Sequence, residues 1–160
     1  MRTIKLLAVA LMTMALGAAA PATTIPIYHV MRHLDTPADG GRDPDLTAGG
    51  TARAQALATW FRGKPLTAIF VSDFKRTRQT VAPLAAERGL TVELYNPADT
   101  PGLIARLKTH AGAVLVVGHS NTVPDIVQQL GGTRPADLTH DDFGDIWSIS
   151  DGQTAHDRLP

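Results

Sequence analysis

Val30–Thr36 reads V-M-R-H-L-D-T and closes the run Ile25–Val30 (I-P-I-Y-H-V). The β-branched and aromatic residues of that run predict a short buried strand, with its proline near the start where a strand tolerates one. The apolar character stops at Met31. Arg32 and His33 follow at once, then Asp35 and Thr36, then a loop rich in Pro, Gly and Asp. Arginine offers a permanent charge and a planar fork of donors suited to phosphate or carboxylate. Histidine can be a nucleophile or an acid–base group near neutral pH. Side chains just past the carboxyl ends of strands in an open α/β sheet face the ligand crevice.

Outward from this stretch, Leu46–Phe61 predicts a helix with Thr47 as N-cap and Leu57, Trp60 and Phe61 on its apolar face. Leu66–Val71 (LTAIFV) predicts a second buried strand ending in Ser72-Asp73. Phe74–Arg88 predicts a helix stopping before Gly89, with Pro83 expected to kink it or to confine its regular part. Thr91–Leu94 is a short strand, Asn96–Pro101 a loop, and Gly102–His110 a helix. Ala113–Val117 (AVLVV) has the continuous apolar character of a central parallel strand covered on both faces, and it ends in Gly118-His119-Ser120-Asn121. A helix over Val123–Leu130, a loop over Arg134–Asp142 and a last strand over Asp145–Ser150 complete the chain, with a loose tail expected from Gly152. Strands alternating with helices predict a three-layer α/β/α sandwich around a mainly parallel sheet.

The composition bounds the function. A chain of 160 residues, 44% hydrophobic and 19% charged, suits one domain with a real core. Its formal net charge of zero gives no reason to expect a nucleic-acid partner. The absence of cysteine excludes disulfides, thiolate metal sites, a cysteine nucleophile and lipid attachment through an N-terminal cysteine. Arg2 and Lys5, the apolar run Leu6–Leu16 and the small residues Gly17–Ala22 have the three-part form of a secretory signal peptide, with cleavage expected after Ala22. That reading divides the chain into a leader over 1–22 and a domain over 23–160, secreted or periplasmic in a bacterium and free of the membrane after cleavage. An uncleaved anchor is the other reading. No exposed apolar stripe calls for an obligate oligomer, so a monomer is expected.

Parallel strands bring their carboxyl ends to one edge of a sheet. Arg32, His33, Arg76 and His119 can therefore converge, with helix openings near Arg76 and Asn121 adding N–H donors. A phosphate monoester carries about −1.5 to −2 at pH 7. Two arginines match that charge, one histidine can attack phosphorus, and the other can bond the equatorial oxygens. A two-histidine metal site at His33 and His119 is disfavoured by the adjacent arginine charges. Ser72 is expected to cap the following helix or to touch phosphate. Asp73 and Thr80 are expected to cap and brace, and His29, His110, His140 and His156 to stand outside the site.

These residues carry a resemblance. Arg32-His33-Leu34, with Asp35-Thr36 behind it, resembles the Arg-His-Gly signature of the histidine phosphatase superfamily, also called phosphoglycerate mutase-like, with Leu34 in place of its glycine. Asp45-Leu46-Thr47-x-x-Gly50 followed by Ala54-Gln55-Ala56, Ser72-Asp73-x-x-Arg76-Thr77-x-Gln79-Thr80, and Val117-Gly118-His119-Ser120-Asn121 resemble three further motifs of that family, in its order. The resemblance implies a nucleophile at His33 that forms a phosphohistidine. It implies a phosphate pocket of Arg32, Arg76 and His119, with Ser120 beside it, and no metal or organic cofactor. It leaves the acid that protonates the leaving group unassigned. Asp99, in the loop after a strand where some members place their acid, is the first candidate; Asp35 and Asp125 follow. The expected partner is a small phosphorylated substrate. Two other readings remain: a non-catalytic protein that binds phosphorylated envelope components, and a phosphohistidine-protein phosphatase if the chain is not exported.

Overall fold

A computed structural model describes residues 25–160, so the leader read over 1–22 lies outside the described residues. Ten elements follow the chain: β1 (Ile27–Arg32), α1 (Ala48–Trp60), β2 (Ala68–Ser72), α2 (Lys75–Arg88), β3 (Val92–Tyr95), α3 (Thr100–Leu107), β4 (Ala113–Gly118), α4 (Val123–Gln129), β5 (Asp145–Ser150) and β6 (Gln153–Arg158). They form one six-stranded sheet of order β3-β2-β4-β1-β5-β6. The four strands from β3 to β1 are mutually parallel, and β5 and β6 add on antiparallel.

The alternation of side chains along each strand makes the three layers. In β4, Val114 and Val116 join Leu103, Ile104 and Leu107 of α3 and Val123, Ile126 and Val127 of α4 in one core. Leu115 and Val117 point the other way, into a core with Leu57 and Ala58 of α1 and Val81 and Leu84 of α2. β4 is thus buried on both faces, as its unbroken apolar run predicts.

Thr47 caps α1 by accepting the Gly50 N–H at 3.0 Å. Gly50 is required for packing: a Cβ there would lie 2.5 Å from the Asp35 carbonyl, so only glycine lets α1 start against the turn that follows His33. Pro83 does not divide α2, which runs without interruption from Lys75 to Arg88.

The tail departs from expectation. Residues 153–158 are not loose but form β6, an antiparallel partner of β5 through a two-residue turn at Asp151-Gly152. Both turn residues have positive φ, 48° and 70°, the conformation in which Asp-Gly matches the twist of a hairpin. Leu159 then folds back into the core and donates its N–H to the Gly144 carbonyl at 2.9 Å.

Register sets the site. Arg32 pairs with Gly118 across β1 and β4, Val71 pairs with Val117 across β2 and β4, and the His33 N–H donates to the Gly118 carbonyl at 2.9 Å. The last residues of β1, β2 and β4 therefore stand level, with His33, Ser72 and His119 side by side at the carboxyl edge.

Candidate active site

His33 is buried and its ring is fixed by its own turn. Nδ1 lies 2.9 Å from the Leu34 carbonyl. A carbonyl only accepts, so Nδ1 carries the proton and Nε2 keeps its lone pair. The Leu34 N–H donates to Thr80 Oγ1 at 2.9 Å, and Thr80 donates in turn to the Arg76 carbonyl at 2.8 Å. Thr80 thus braces the His33 turn against α2. Leu34, which stands where the family motif has glycine, sends its side chain into the core beside Met31, Ala54 and Leu57 and does not line the cavity.

His119 packs edge-on to His33, with ring centroids 5.4 Å apart. Arg76 Nη2 donates to its Nδ1 at 3.3 Å, so the proton of the neutral ring sits on Nε2, which donates to Ser72 Oγ at 2.7 Å. Ser72 is fully buried; it orients His119 and neither caps α2 nor faces the cavity. Phe74, at the opening of α2, lies edge-on to His119 at 5.0 Å and flat under the Arg76 guanidinium at 4.3 Å. Arg76 Nη1 donates to the Arg42 carbonyl at 3.0 Å and stands 3.5 Å from Asp43 Oδ1.

Arg32 is buried under a turn. Its Nη1 donates to the carbonyls of Thr139, His140 and Asp142 at 2.6, 3.0 and 3.2 Å, and its guanidinium lies over the Phe143 ring at 4.1 Å. Nε is buried without a partner. Nη2 has no protein partner among the described residues and remains for a ligand.

These groups wall a cavity of about 560 Å³ whose titratable lining is Arg32, His33, Arg42, Arg76, His119 and His140. Ser120, Asn121 and Thr36 add polar surface. No carboxylate side chain lines it, so the cavity is a site for an anion. The imidazoles are held neutral. Burial lowers the His33 pKa to about 3, with the Arg32 charge adding to the effect and the bond to Leu34 opposing it. Burial, then the Arg76 and Arg32 charges, lower His119 to about 4. A neutral His33 with a free Nε2 is an available nucleophile. No cluster of metal-ligating side chains occurs among the described residues.

The structure brings Arg32, His33, Arg76, His119 and Ser120 together. It does not bring in Asp99. That carboxylate is the N-cap of α3 and accepts the Gly102 N–H at 2.9 Å; its neighbours Pro97 and Ala98 reach the cavity wall, but it does not. Asp-Thr-Pro-Gly is a helix-start sequence, and capping fixes the side chain toward the helix. Asp35 pairs with Arg53 at 2.6 Å, and Asp125 pairs with Arg134 at 3.3 Å; neither lines the cavity. Among the titratable lining residues, Arg42 has no signal in the sequence, and His140 corrects the expectation that it stands outside the site: the turn that Arg32 holds carries it to the cavity wall. Arg42 belongs to the Pro- and Gly-rich loop after β1, and the sequence carries no periodic signal for either position.

Residues 29–96 match the family model described as histidine phosphatase superfamily (branch 1). The segment contains Arg32, His33 and Arg76; His119 lies beyond it and joins through the fold. No curated protein matches the sequence. Among solved structures, the protein histidine phosphatase SixA complexed with tungstate is 23% identical, with TM-score 0.62 over 82% of this chain and 94% of that one. The alpha-ribazole phosphatase from Shigella flexneri is 19% identical, with TM-score 0.65 over 83% and 95%. A mycobacterial glucosyl-3-phosphoglycerate phosphatase is 15% identical, with TM-score 0.63 over 83% and 97%. At these identities the likeness is one of fold. The match to that family model thus covers residues 29–96, and over its described residues the chain has the fold of these solved phosphatases.

Proposed function

We propose that this protein is a phosphatase that hydrolyses phosphomonoesters through a phosphohistidine at His33. The observation that carries the reading is the state of His33: neutral, with Nδ1–H tied to the Leu34 carbonyl and Nε2 free, on the wall of a cavity lined by three arginines and no carboxylate. Nε2 attacks phosphorus in line while Arg32 Nη2 and Arg76 neutralise the equatorial oxygens. Binding of the dianion draws Arg76 away from His119, and Nδ1 of that ring takes up a proton that it donates to a phosphoryl oxygen while Nε2–H stays on Ser72. Water then attacks the phosphohistidine, phosphate leaves and His33 is restored. No step requires a metal or organic cofactor.

The cavity is large enough for a phosphoryl group and part of a small organic leaving group. A second reading, removal of phosphate from phosphohistidine on a protein, is favoured by the absence of a lining carboxylate, because a P–N bond to a protonated imidazole breaks without a further strong acid. Comparing an aryl phosphate with a phosphohistidine peptide separates the two. Export is part of the proposal and rests on the leader reading of 1–22; the N-terminus of the purified native protein decides it.

The arginines are tested by binding. Arg32→Ala and Arg76→Ala should each weaken vanadate binding by about 10-fold or more, the scale of a lost charge-assisted bond. Unchanged binding in either variant removes that residue from the pocket.

A further inference from the structure

The phosphatase reading leaves one proton without a source. Breaking a P–O ester bond releases an alkoxide or aryloxide that must be protonated, and none of the three carboxylates with a claim to that role reaches the cavity: Asp99 caps α3, Asp35 pairs with Arg53, and Asp125 pairs with Arg134. Arginine does not give up its proton in proteins. His33 is the nucleophile, and His119, held on Ser72 through Nε2, serves the equatorial oxygens. Of the titratable groups lining the cavity, His140 alone has no other task.

Its position suits the role. In-line transfer places the leaving oxygen on the side of phosphorus opposite His33. His33 is only 5% exposed and forms the floor of the site, so the leaving oxygen faces the mouth. His140 is exposed and lines the same cavity. The Phe143 ring packs against both imidazoles, 5.9 Å from His33 and 5.6 Å from His140. The turn bearing His140 is built, not loose. Asp142 Oδ2 accepts the Thr139 N–H at 2.6 Å and the Thr139 hydroxyl at 2.7 Å, and Arg32 holds three of the turn's carbonyls from beneath. The residue that binds phosphate thereby fixes the turn that presents His140. The His140 ring itself makes no hydrogen bond to the described residues, so its nitrogens are available to a ligand.

We propose that His140 is the acid–base residue of this reaction, donating a proton to the leaving-group oxygen and then taking one from the attacking water. In the first step the His33 Nε2–P bond forms, the P–O bond breaks, and the imidazolium of His140 protonates the departing oxygen. In the second, the now neutral His140 takes a proton from water as its oxygen attacks phosphorus and the N–P bond breaks. Phosphate and alcohol are the products, and both histidines return to their starting states. The proposal rests on the phosphatase reading and names the substrates it serves: monoesters of alcohols that need protonation to leave.

The test is a leaving-group series, with kcat/KM measured for 2,4-dinitrophenyl, 4-nitrophenyl and phenyl phosphate in the wild type, His140→Gln and His33→Ala. General acid catalysis contributes about 10²–10⁴-fold. The loss in His140→Gln should therefore be at least about 10²-fold larger for phenyl phosphate than for 2,4-dinitrophenyl phosphate, whose leaving group needs little help. Since the His140 side chain is exposed and unbonded, the variant should fold as the wild type does, which circular dichroism checks. Equal losses across the series, or none, overturn the role of His140 while leaving the phosphatase reading intact. A wild type inactive on all three esters, or a His33→Ala as active as the wild type, overturns the phosphatase reading itself.

Discussion

A histidine attacks only through a ring nitrogen that its surroundings leave unprotonated and uncommitted. At His33 both conditions follow from the turn that holds it, because the Leu34 carbonyl fixes the proton on Nδ1 and burial beside Arg32 keeps the ring from taking a second. The same turn explains why leucine is compatible with the site at position 34: its main chain fixes the His33 ring and its side chain serves the core. Leu34→Ala should therefore cost about 2–5 kcal/mol of stability, as buried leucines do, while the phosphate affinity of the folded fraction stays within about 3-fold of the parent. Denaturant melts and vanadate titration check the two halves. A variant of parental stability with altered vanadate affinity would place Leu34 at the ligand instead. At this scale much was legible in the sequence. Arg32, His33, His119 and Ser120 stand where an apolar run breaks into polar residues, Arg76 opens the helix after another such break, and those breaks can be read without coordinates. Asp99 stands apart from them, and a carboxylate in a loop beside a strand looks the same in sequence whether it faces a ligand or caps the next helix. Only the Gly102 N–H, three residues on, decides between them.

Among the elements, the turn 139–143 and the strand β1 depend on each other. Arg32, the last residue of β1, binds the turn through three carbonyls and covers Phe143. Arg32→Ala should release the turn. Amide exchange at residues 139–143 should quicken by about 10-fold or more while β4 keeps its protection, as measured by hydrogen–deuterium exchange. Exchange that does not change there would show that the turn is held by Thr139 and Asp142 alone. This coupling had no signature in the sequence, since Arg32 acts on backbone oxygens, which every residue carries. The same holds for the inclusion of Arg42 and His140 in the cavity. β6 is a different case. Asp151-Gly152 is a hairpin signal, but Q-T-A-H-D-R shows no apolar alternation because this edge strand is exposed along most of its length. The residues alone have the character of a tail, and backbone pairing with β5 makes them a strand.

For the whole molecule, the alternation of apolar strands and helices was sufficient to predict the layered sheet, because each central strand needs cover on both faces. The site that this sheet carries imposes a pH dependence on folding. Burial lowers the imidazoles of His29 and His119 to about 4 and that of His33 to about 3. An unfolded chain protonates its histidines near pH 6.5. Below that value the unfolded state binds protons that the folded state refuses, so stability falls as pH drops and is recovered as pH rises. Each unit of pH below about 6.5 costs about 1.4 kcal/mol per such histidine until the folded value is reached. The urea midpoint should thus fall steadily from pH 7 to pH 5, above the range where carboxylates titrate, and a midpoint that is level or rising over that interval contradicts the assigned burial. The covalent intermediate is open to rapid-quench mixing of the protein with a ³²P-labelled activated aryl phosphate, followed by stability tests on the trapped phosphoprotein. A phosphohistidine at His33 should be labile in acid, stable in base and absent from His33→Ala. Release of phenol without any such species, or a phosphoprotein that persists in His33→Ala, would contradict a covalent intermediate at His33.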